Sequence, residues 1–576
     1  MKISLIGINA KYIHSNPAIY SLRSCVKDYR NMVDLQEYTI NQRREEIRQE
    51  IYAGRPDVLA FSCYIWNITL IEELLWDLHK ILPEAEFWLG GPEVSHNPEE
   101  VLGRLPMVKG ILVGEGEVSF PALVSFYGKE HHKNADNHIY LKEIPGIYTR
   151  ELVTPCPPPC ELGDIPFWYD EAGTGKLSGE FENRILYYES SRGCPFSCSY
   201  CLSSVEKSLR FRPLDMVKKE LDFFLDNKVP QVKFIDRTFN CKKQRSLAIW
   251  QYLKEKDNGI TNFHFEIAAD LLSEEELECL STLRPGQVQL EIGVQTTNAC
   301  TLKEIRRITD MDRLSRNIAR LRSFGNMHLH LDLIAGLPFE DMDSFIRSFN
   351  EVYAMGGDDL QLGFLKVLHG SFMEEQKHTY GILHEEKAPY EVLSTNWISY
   401  EDVVRLKQVE EMVELYANSG QFGITMGALE KEFESPFAMF DALAAFYKKE
   451  GYFTNAPARS RRYEVLLAFV EHIFPDKKEA YRMKLTLDFY LREKPKSRPA
   501  FALPEDRGLM RAFLDKEERE AYYLQGREGL TRAQIAAGIH LEPVSESVIL
   551  FMDYAKRNPL NHNAECTEVP VSYLRG

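Results

Sequence analysis

Apolar runs that alternate with helical stretches fill the first two thirds of the chain and restrict it to α/β architectures. ISLIGIN (3–9), VDLQEYT (33–39), DVLAFSCYI (57–65), EFWLGG (86–91) and GILVGEG (110–116) read as strands. Helical patterns such as ITLIEELLWDLHKIL (68–82) lie between them. Strands and helices at this spacing predict a parallel, doubly wound (Rossmann-like) sheet over residues 1–127. Its punctuation falls where strands run out, at Asn9, Ser62, Gly90, Gly91, Gly114 and Glu115. Ligands of open α/β sheets bind at that carboxyl edge, and glycines there let a large flat ligand approach the backbone.

The alternation resumes over 184–375 with ILYYESS (185–191), QVKFIDR (231–237), FHFEIAA (263–269), VQLEIGV (288–294), HLHLDLI (328–334) and LQLGFLK (360–366). Six such units in series predict a partial or full (β/α) barrel, whose chemistry sits at the carboxyl ends of its strands. Residues 128–183 read as a connector, HHKNADNH followed by a short hairpin around 139–153. Its CPPPC segment holds Cys156 and Cys160, and the prolines keep the chain extended, a structural role. Residues 376–576 are expected to form a mostly α-helical, charged domain, interrupted by a polar, proline-containing break at 492–507.

Composition narrows the function classes. The 576 residues are 44% hydrophobic and 27% charged, enough for several domains with real cores. No apolar run approaches the roughly 20 residues that cross a bilayer. MKISLIGINAKYIH reads as a first strand and not as a signal peptide, so a cytoplasmic protein without membrane contact is expected. A formal net charge of −17 argues against a general nucleic-acid binder. Eleven cysteines, an odd number without a secretory signal, favour metal binding over a disulfide framework.

The tightest cysteine group is RGCPFSCSYC (192–201), which brings Cys194, Cys198 and Cys201 together at C-x3-C-x2-C. Zinc sites use paired elements that supply four ligands, and no partner CxxC or His pair follows. Three thiolates on a four-iron cluster leave one iron open for a small chelating molecule. Gly193 and Pro195 keep the segment a loop, and Tyr200 offers a ring beside the last thiol. The residues alone leave a zinc site as the alternative.

CPFSCSYC resembles the CxxxCx(aromatic)C signature of the radical S-adenosylmethionine (SAM) superfamily, and it stands just after the first strand of a βα series, as in that family. The resemblance implies a [4Fe–4S] cluster whose open iron chelates SAM. One electron would then cleave SAM to methionine and a 5′-deoxyadenosyl radical. VKFIDRTFN (232–240) resembles the family's second-strand segment, with Asp236 and Arg237 toward the site. Glu266 and the run Glu291, Gly293, Val294 and Gln295 are placed at strand ends, and the resemblance assigns Glu266, Glu291, Gly293 and Gln295 to SAM binding. The run is similar to a segment near the SAM ribose and adenine. Arg306 or Arg307, in the helix that follows, is expected to pair with the SAM carboxylate. Tyr200 is expected to line the adenine pocket. LDLIAGLPFED (331–341) resembles a later turn of the same family.

WLGGPEVSHNPEEVL (88–102) and VKGILVGEGEVSFPALV (108–124) resemble the cobalamin-binding domain of the B12-dependent members of that class. Asn9, Ser62, Gly90, Gly91, Pro92, Glu93, Gly114, Glu115 and Gly116 are the positions this assigns to cobalamin. The methionine-synthase-type DxHxxG is absent, and His14 has the wrong neighbours for a cobalt ligand. A flavodoxin-like or nucleotide-binding domain is the alternative for this region, although GEGEVS is not GxGxxG.

The carboxyl-terminal region is similar to an uncharacterised helical extension on one branch of these proteins, which implies no substrate. It contains the basic runs PARSRRY (457–463) and LREKPKSRP (491–499), and a capping box of Thr531 with Gln534. The resemblance implies an enzyme that transfers a methyl group from methylcobalamin to an unactivated carbon. It needs a reductant such as flavodoxin or ferredoxin and takes a peptide, natural-product intermediate, lipid-like molecule or modified RNA nucleoside. A monomer is expected. Two other readings compete: a non-methylating rearrangement or cyclisation, and a corrinoid or iron–sulfur sensor.

Overall fold

The computed structural model describes all residues except 131, 133–136, 206–207, 496, 503–507, 528 and 576. Parts of the HHKNADNH stretch, of the 491–499 basic run and of the 492–507 break therefore lie outside the described residues.

The first sheet is built from β1 (Ile3–Asn9), β2 (Val33–Thr39), β3 (Val58–Ser62), β4 (Glu86–Gly90), β5 (Val108–Leu112) and β6 (Ile147–Tyr148) in the order β2-β1-β3-β4-β5-β6. The first five are parallel, and β6 pairs antiparallel with β5. Every residue of β1 and β3 is buried, as expected of a parallel sheet covered on both faces. The order reverses between β1 and β3, so the ligand crevice of such a sheet opens there.

Two expectations change in detail. GILVGEG does not continue as a strand to 116: β5 stops at Leu112, and Gly114, with φ +87°, turns the chain into the helix Gly116–Gly128. The connector hairpin is shorter than 139–153. Asn137–Leu141 is helical, and the hairpin closes through the Tyr148–Val153 bridge and a Thr149 N–H bond to Leu152 O of 2.7 Å.

The second sheet contains β7 (Leu186–Tyr188), then, after a small ribbon of β8 (Ser191–Arg192) and β9 (Arg210–Phe211), β10 (Gln231–Phe234), β11 (Asn262–Ile267), β12 (Val288–Gln295), β13 (His328–Ala335) and β14 (Asp359–Phe364). Its order, β14-β13-β12-β11-β10-β7, follows the chain, which is an open arc and hence a partial barrel. In β12 the apolar Val288, Leu290, Ile292 and Val294 are buried, while Gln289, Glu291, Gly293 and Gln295 occupy the other face. β13 repeats the pattern, with His330 and Asp332 on the face of Glu291 and Gly293. Strand alternation thus sends the polar set into the barrel lumen.

The first sheet and strands β7 and β10–β13 of the second belong to one compact unit, Met1–Phe345 with Gly363–Tyr400, which also takes the last two residues of β14. The expected division at 375/376 falls inside it, because residues 363–400 fold back onto the barrel: Leu365 N–H bonds to Ala335 O at 2.9 Å and Met373 N–H to Ser199 O at 3.3 Å. A second unit comprises Ile346–Leu362 and Glu401–Gly576. It is largely helical, and the capping box of Thr531 and Gln534 forms at the helix Arg532–Gly538. It also holds a three-stranded antiparallel sheet (Ile539–Pro543, Val548–Arg557, Ala564–Pro570) that the sequence reading missed.

Candidate active site

The cysteine loop leaves β8 through Gly193, whose φ is +93° and whose added Cβ would lie 2.4 Å from Ser208 O. Only glycine fits there. The loop is then pinned to the rest of the barrel: Ser199 N–H bonds to Ile305 O at 2.9 Å, and Met373 N–H to Ser199 O at 3.3 Å. Cys194, Cys198 and Cys201 are free thiols, and their sulfurs do not all lie within 4.8 Å of one another. Four thiolates around one zinc sit about 3.8 Å apart, from a Zn–S distance of about 2.3 Å. Three thiols on one loop match the ligand set of a four-iron cluster that keeps one iron open.

Arg307 supplies the link from the cluster loop to β12. Its guanidinium donates to Gly293 O, lies 3.4 Å from the Tyr200 hydroxyl and 3.9 Å from Cys198 Sγ. Arg306 turns away, with φ +54° and its guanidinium 3.8 Å over the Phe372 ring. Of the two arginines, only Arg307 reaches the site. Both lie past the helix Ala299–Glu304 and not inside it. Buried Arg307 Nε and Gln295 Oε1 have no hydrogen-bond partner, which leaves polar capacity beside the thiols for a ligand such as SAM.

Glu291 is mid-strand in β12 and not at its end. It accepts from Lys233 Nζ at 3.1 Å and lies 3.0 Å from His264 Nε2. Burial opposes its ionisation, yet the His264 bond and the Lys233 charge hold the carboxyl low, at about 2. Glu266 pairs with it across the β11–β12 register. Asp236 faces inward and is fully committed: it accepts from Ser190 N–H at 2.8 Å, Ser190 Oγ at 2.6 Å and Ser191 Oγ at 2.7 Å. Arg237 is exposed.

At the carboxyl edge of the first sheet the predicted positions divide. Gly91 has φ +112° and ψ 171°, and an added Cβ would lie 2.4 Å from Cys63 O, so the GGP turn requires glycine. Pro92 opens the helix Pro92–Ser95. Glu93 is buried and accepts from the Tyr390 hydroxyl, which ties the turn to the segment after the barrel; burial pushes its carboxyl up. Asn9 donates to His14 O and Glu37, and Ser62 O accepts from Asn67, so both brace the edge. Exposed Tyr12 and Ile13 after β1, Trp66 after β3 and Val118 after β5 form an apolar rim on the same edge. Trp66 stacks on Tyr64 at 4.4 Å between ring centroids. Such a rim, beside glycine turns, fits a flat macrocycle. His14 Nδ1 is 2.5 Å from the Tyr187 hydroxyl, so that nitrogen is occupied.

The two edges are joined by ion pairs that sequence reasoning did not find. Arg192, two residues before Cys194, contacts Glu117 at 2.7 Å, Glu189 at 2.8 Å and Glu115 at 3.3 Å. Arg210 Nη1 donates to Glu115 at 3.0 Å and also to Cys160 O. Glu115 further accepts from Cys160 N–H at 2.9 Å. Despite burial, Arg210 and Arg192 hold the Glu115 carboxyl low, at about 2. The GEGE loop is therefore clamped onto the ribbon beside the cysteine loop, with the CPPPC strap closing over it. Cys160 stays a thiol: burial and the Glu117 charge push it up to about 12. No local motif announces this clamp, since its partners are 75 and 95 residues apart.

Comparison with known proteins matches this geometry. The B12 binding domain model matches residues 3–124, the Radical SAM superfamily model residues 188–352, and Protein of unknown function (DUF4080) residues 378–566. The chain thus combines a B12 binding domain with a Radical SAM domain, and B12, SAM and a [4Fe–4S] cluster are the cofactors these two domains imply. It is 26% identical over 333 residues to 2-(S-pantetheinyl)-carbapenam-3-carboxylate methyltransferase of Streptantibioticus cattleyicolor, covering 54% of this chain and 47% of the relative. It is 25% identical over 369 residues to the cobalamin-dependent radical SAM methyltransferase TokK of Streptomyces tokunonensis, covering 59% and 52%. The chain therefore spans about half the length of these curated relatives. The solved structure of the cobalamin-dependent S-adenosylmethionine radical enzyme OxsB with aqua-cobalamin shares the fold, with TM-score 0.54 at 16% identity, over 84% of this chain and 79% of that one. No helix among the described residues is long and apolar enough to cross a membrane.

Proposed function

We propose that the protein is a B12-dependent radical SAM methyltransferase acting on an unactivated carbon. The observation that carries this reading is the clamp of Arg192 and Arg210 on Glu115 and Glu117, which joins the cobalamin edge to the cluster loop within one compact unit. The bound groups supply the hard chemistry, one electron from a [4Fe–4S] cluster to SAM and a methyl group from cobalamin. The chain supplies placement. Cys194, Cys198 and Cys201 would hold the cluster, and Arg307 with Gln295 would take polar groups of SAM. Gly91 and Gly114, with the apolar rim of Trp66, Tyr12 and Ile13, would seat the corrinoid. Strand-borne polar groups in the lumen would orient the substrate.

Incubation with SAM carrying an isotopic methyl group, a reductant such as flavodoxin or ferredoxin, and candidate substrates from peptides to natural-product intermediates tests this. Methylation predicts S-adenosylhomocysteine together with 5′-deoxyadenosine and label in the product. 5′-Deoxyadenosine with an altered but unlabelled product would replace it by rearrangement or cyclisation. Neither product with any substrate would point to a sensor.

A further inference from the structure

The second unit gathers positive charge in a chain whose overall balance is acidic. Three segments far apart in sequence carry it: PARSRRY (457–463) has three arginines, LREKPKSRP (491–499) four lysines and arginines, and KRNPLNH (556–562) two. Glu493 is their one acidic residue. The fold brings the three segments together. The helices Arg461–Ile473 and Lys478–Arg492 are joined by residues 474–477 and pack on each other. Arg459, before the first, therefore meets Glu493, after the second, at 2.9 Å. The strand Val548–Arg557 ends beside them. Arg557 Nη1 donates to Arg492 O at 3.3 Å and to His562 O at 2.6 Å, and Arg492 Nη1 donates to Asn561 O.

These bonds fix the arginines without neutralising them. Nε and Nη2 of Arg492 and Arg557 donate to no group among the described residues, and neither arginine has an ion-pair partner there. Glu493 pairs only with Arg459, and both side chains are about half exposed, which weakens the pair. Asp488, the nearest acid before Arg492, is turned to the amides of Ile424 and Thr425 at 2.9 and 2.8 Å. Three guanidiniums facing one carboxylate leave about two positive charges uncompensated. Burial, with the charges of Arg459 and Arg557, lowers the Arg492 pKa, the mark of like charges held close. Gathering them costs free energy that a bound anion offsets.

The size of the charge selects the anion. A carboxylate or a sulfate ester would cancel half of it. A phosphate monoester carries about −1.5 to −2 near pH 7 and presents three oxygens to guanidinium forks. A nucleic-acid backbone carries one charge per phosphate, and the net charge of −17 repels a long polyanion. We infer that Arg459, Arg492 and Arg557 bind the phosphate of a small soluble phosphomonoester on the second unit. These residues lie beyond both cofactor domains in the sequence, and the site does not depend on the methyl-transfer reading.

The test uses the anaerobically reconstituted full chain with n-butyl phosphate, n-butyl sulfate and n-pentanoate as matched probes. Calorimetry at one pH and one ionic strength reads their affinities. Butyl phosphate is expected to bind at least about tenfold more tightly than either companion. Its affinity should fall as salt is raised, because the arginines are partly exposed. Arg459→Gln and Arg557→Gln should each weaken it at least about fivefold. Arg511→Gln, at a side chain 85% exposed elsewhere in the unit, should leave it unchanged. The ranking of the probes on the wild type stands even if a variant does not fold. Vesicles of phosphatidylcholine with phosphatidic acid, which display the same group on a lipid, are expected not to sediment the protein. Equal binding of the three probes, no binding of butyl phosphate, or an affinity that survives the loss of Arg459 and Arg557 together would overturn the inference. Sedimentation with the vesicles that butyl phosphate competes away would overturn the soluble ligand and assign the site to a lipid headgroup. Binding is read without turnover, so failure of methyl transfer leaves this result untouched.

Discussion

Single residues carry the sharpest tests because two of them sit in conformations that other side chains do not adopt. Gly91, at φ +112° and ψ 171° with Cys63 O 2.4 Å from an added Cβ, tolerates no substitution without backbone movement. Gly91→Ala is expected to cost at least about 1–3 kcal/mol of stability. The melting temperature should fall and corrinoid binding should be lost. Asp332 gives a prediction of opposite sign. Its native pKa of about 8 lies above the ordinary aspartate value of 3.8, so the folded state holds a proton that the unfolded state releases. The stability this confers is full below about pH 4 and is lost as pH rises toward 8, at up to about 1.4 kcal/mol per pH unit. Asp332→Asn should flatten that decline and melt higher than wild type at pH 8. Thermal melts at pH 5 and pH 8 check it; equal losses in both proteins would mean that Asp332 is ionised in the native state.

Elements explain what was legible in the sequence. Period-two patterns bounded by helices located all six barrel strands and five strands of the first sheet, because burial on one or both faces writes itself into neighbouring residues. The cysteine loop and the GGP and GEGE turns were equally local. What stayed hidden depends on partners far along the chain. Arg192 and Arg210 look like ordinary ribbon residues until Glu115 and Glu117 meet them. Arg306 and Arg307 are adjacent, and only the positive φ of Arg306 separates their fates. Glu291 belongs to the strand-end run of the sequence reading, although the strand read as 288–294 already holds it in the middle, where β12 places it. At this scale Arg210→Ala strips Glu115 of its hydrogen-bonded arginine partner, a change that costs about 3–5 kcal/mol for a buried pair. Hydrogen exchange should speed up across 113–118, while Arg210→Lys should restore part of the protection. Unchanged exchange would mean that the strap at Cys160 holds the loop unaided. The helix Arg532–Gly538 offers an independent check: Thr531→Ala removes its capping box and should cost about 1 kcal/mol in a denaturant melt of the chain.

At the scale of the molecule, the account joins an under-ligated cluster to a corrinoid edge through one compact unit, Met1–Phe345 with Gly363–Tyr400. The large second unit adds helices and a small sheet, and family comparison describes most of it as of unknown function. The most direct measurement is metal and corrinoid content after anaerobic reconstitution with iron, sulfide and cobalamin, for wild type and for the triple variant of Cys194, Cys198 and Cys201 to alanine. The account predicts about four irons per chain with a corrinoid spectrum in the wild type, and loss of the iron with retention of the corrinoid in the variant. Zinc bound in place of iron, or iron retained without these three cysteines, would contradict it.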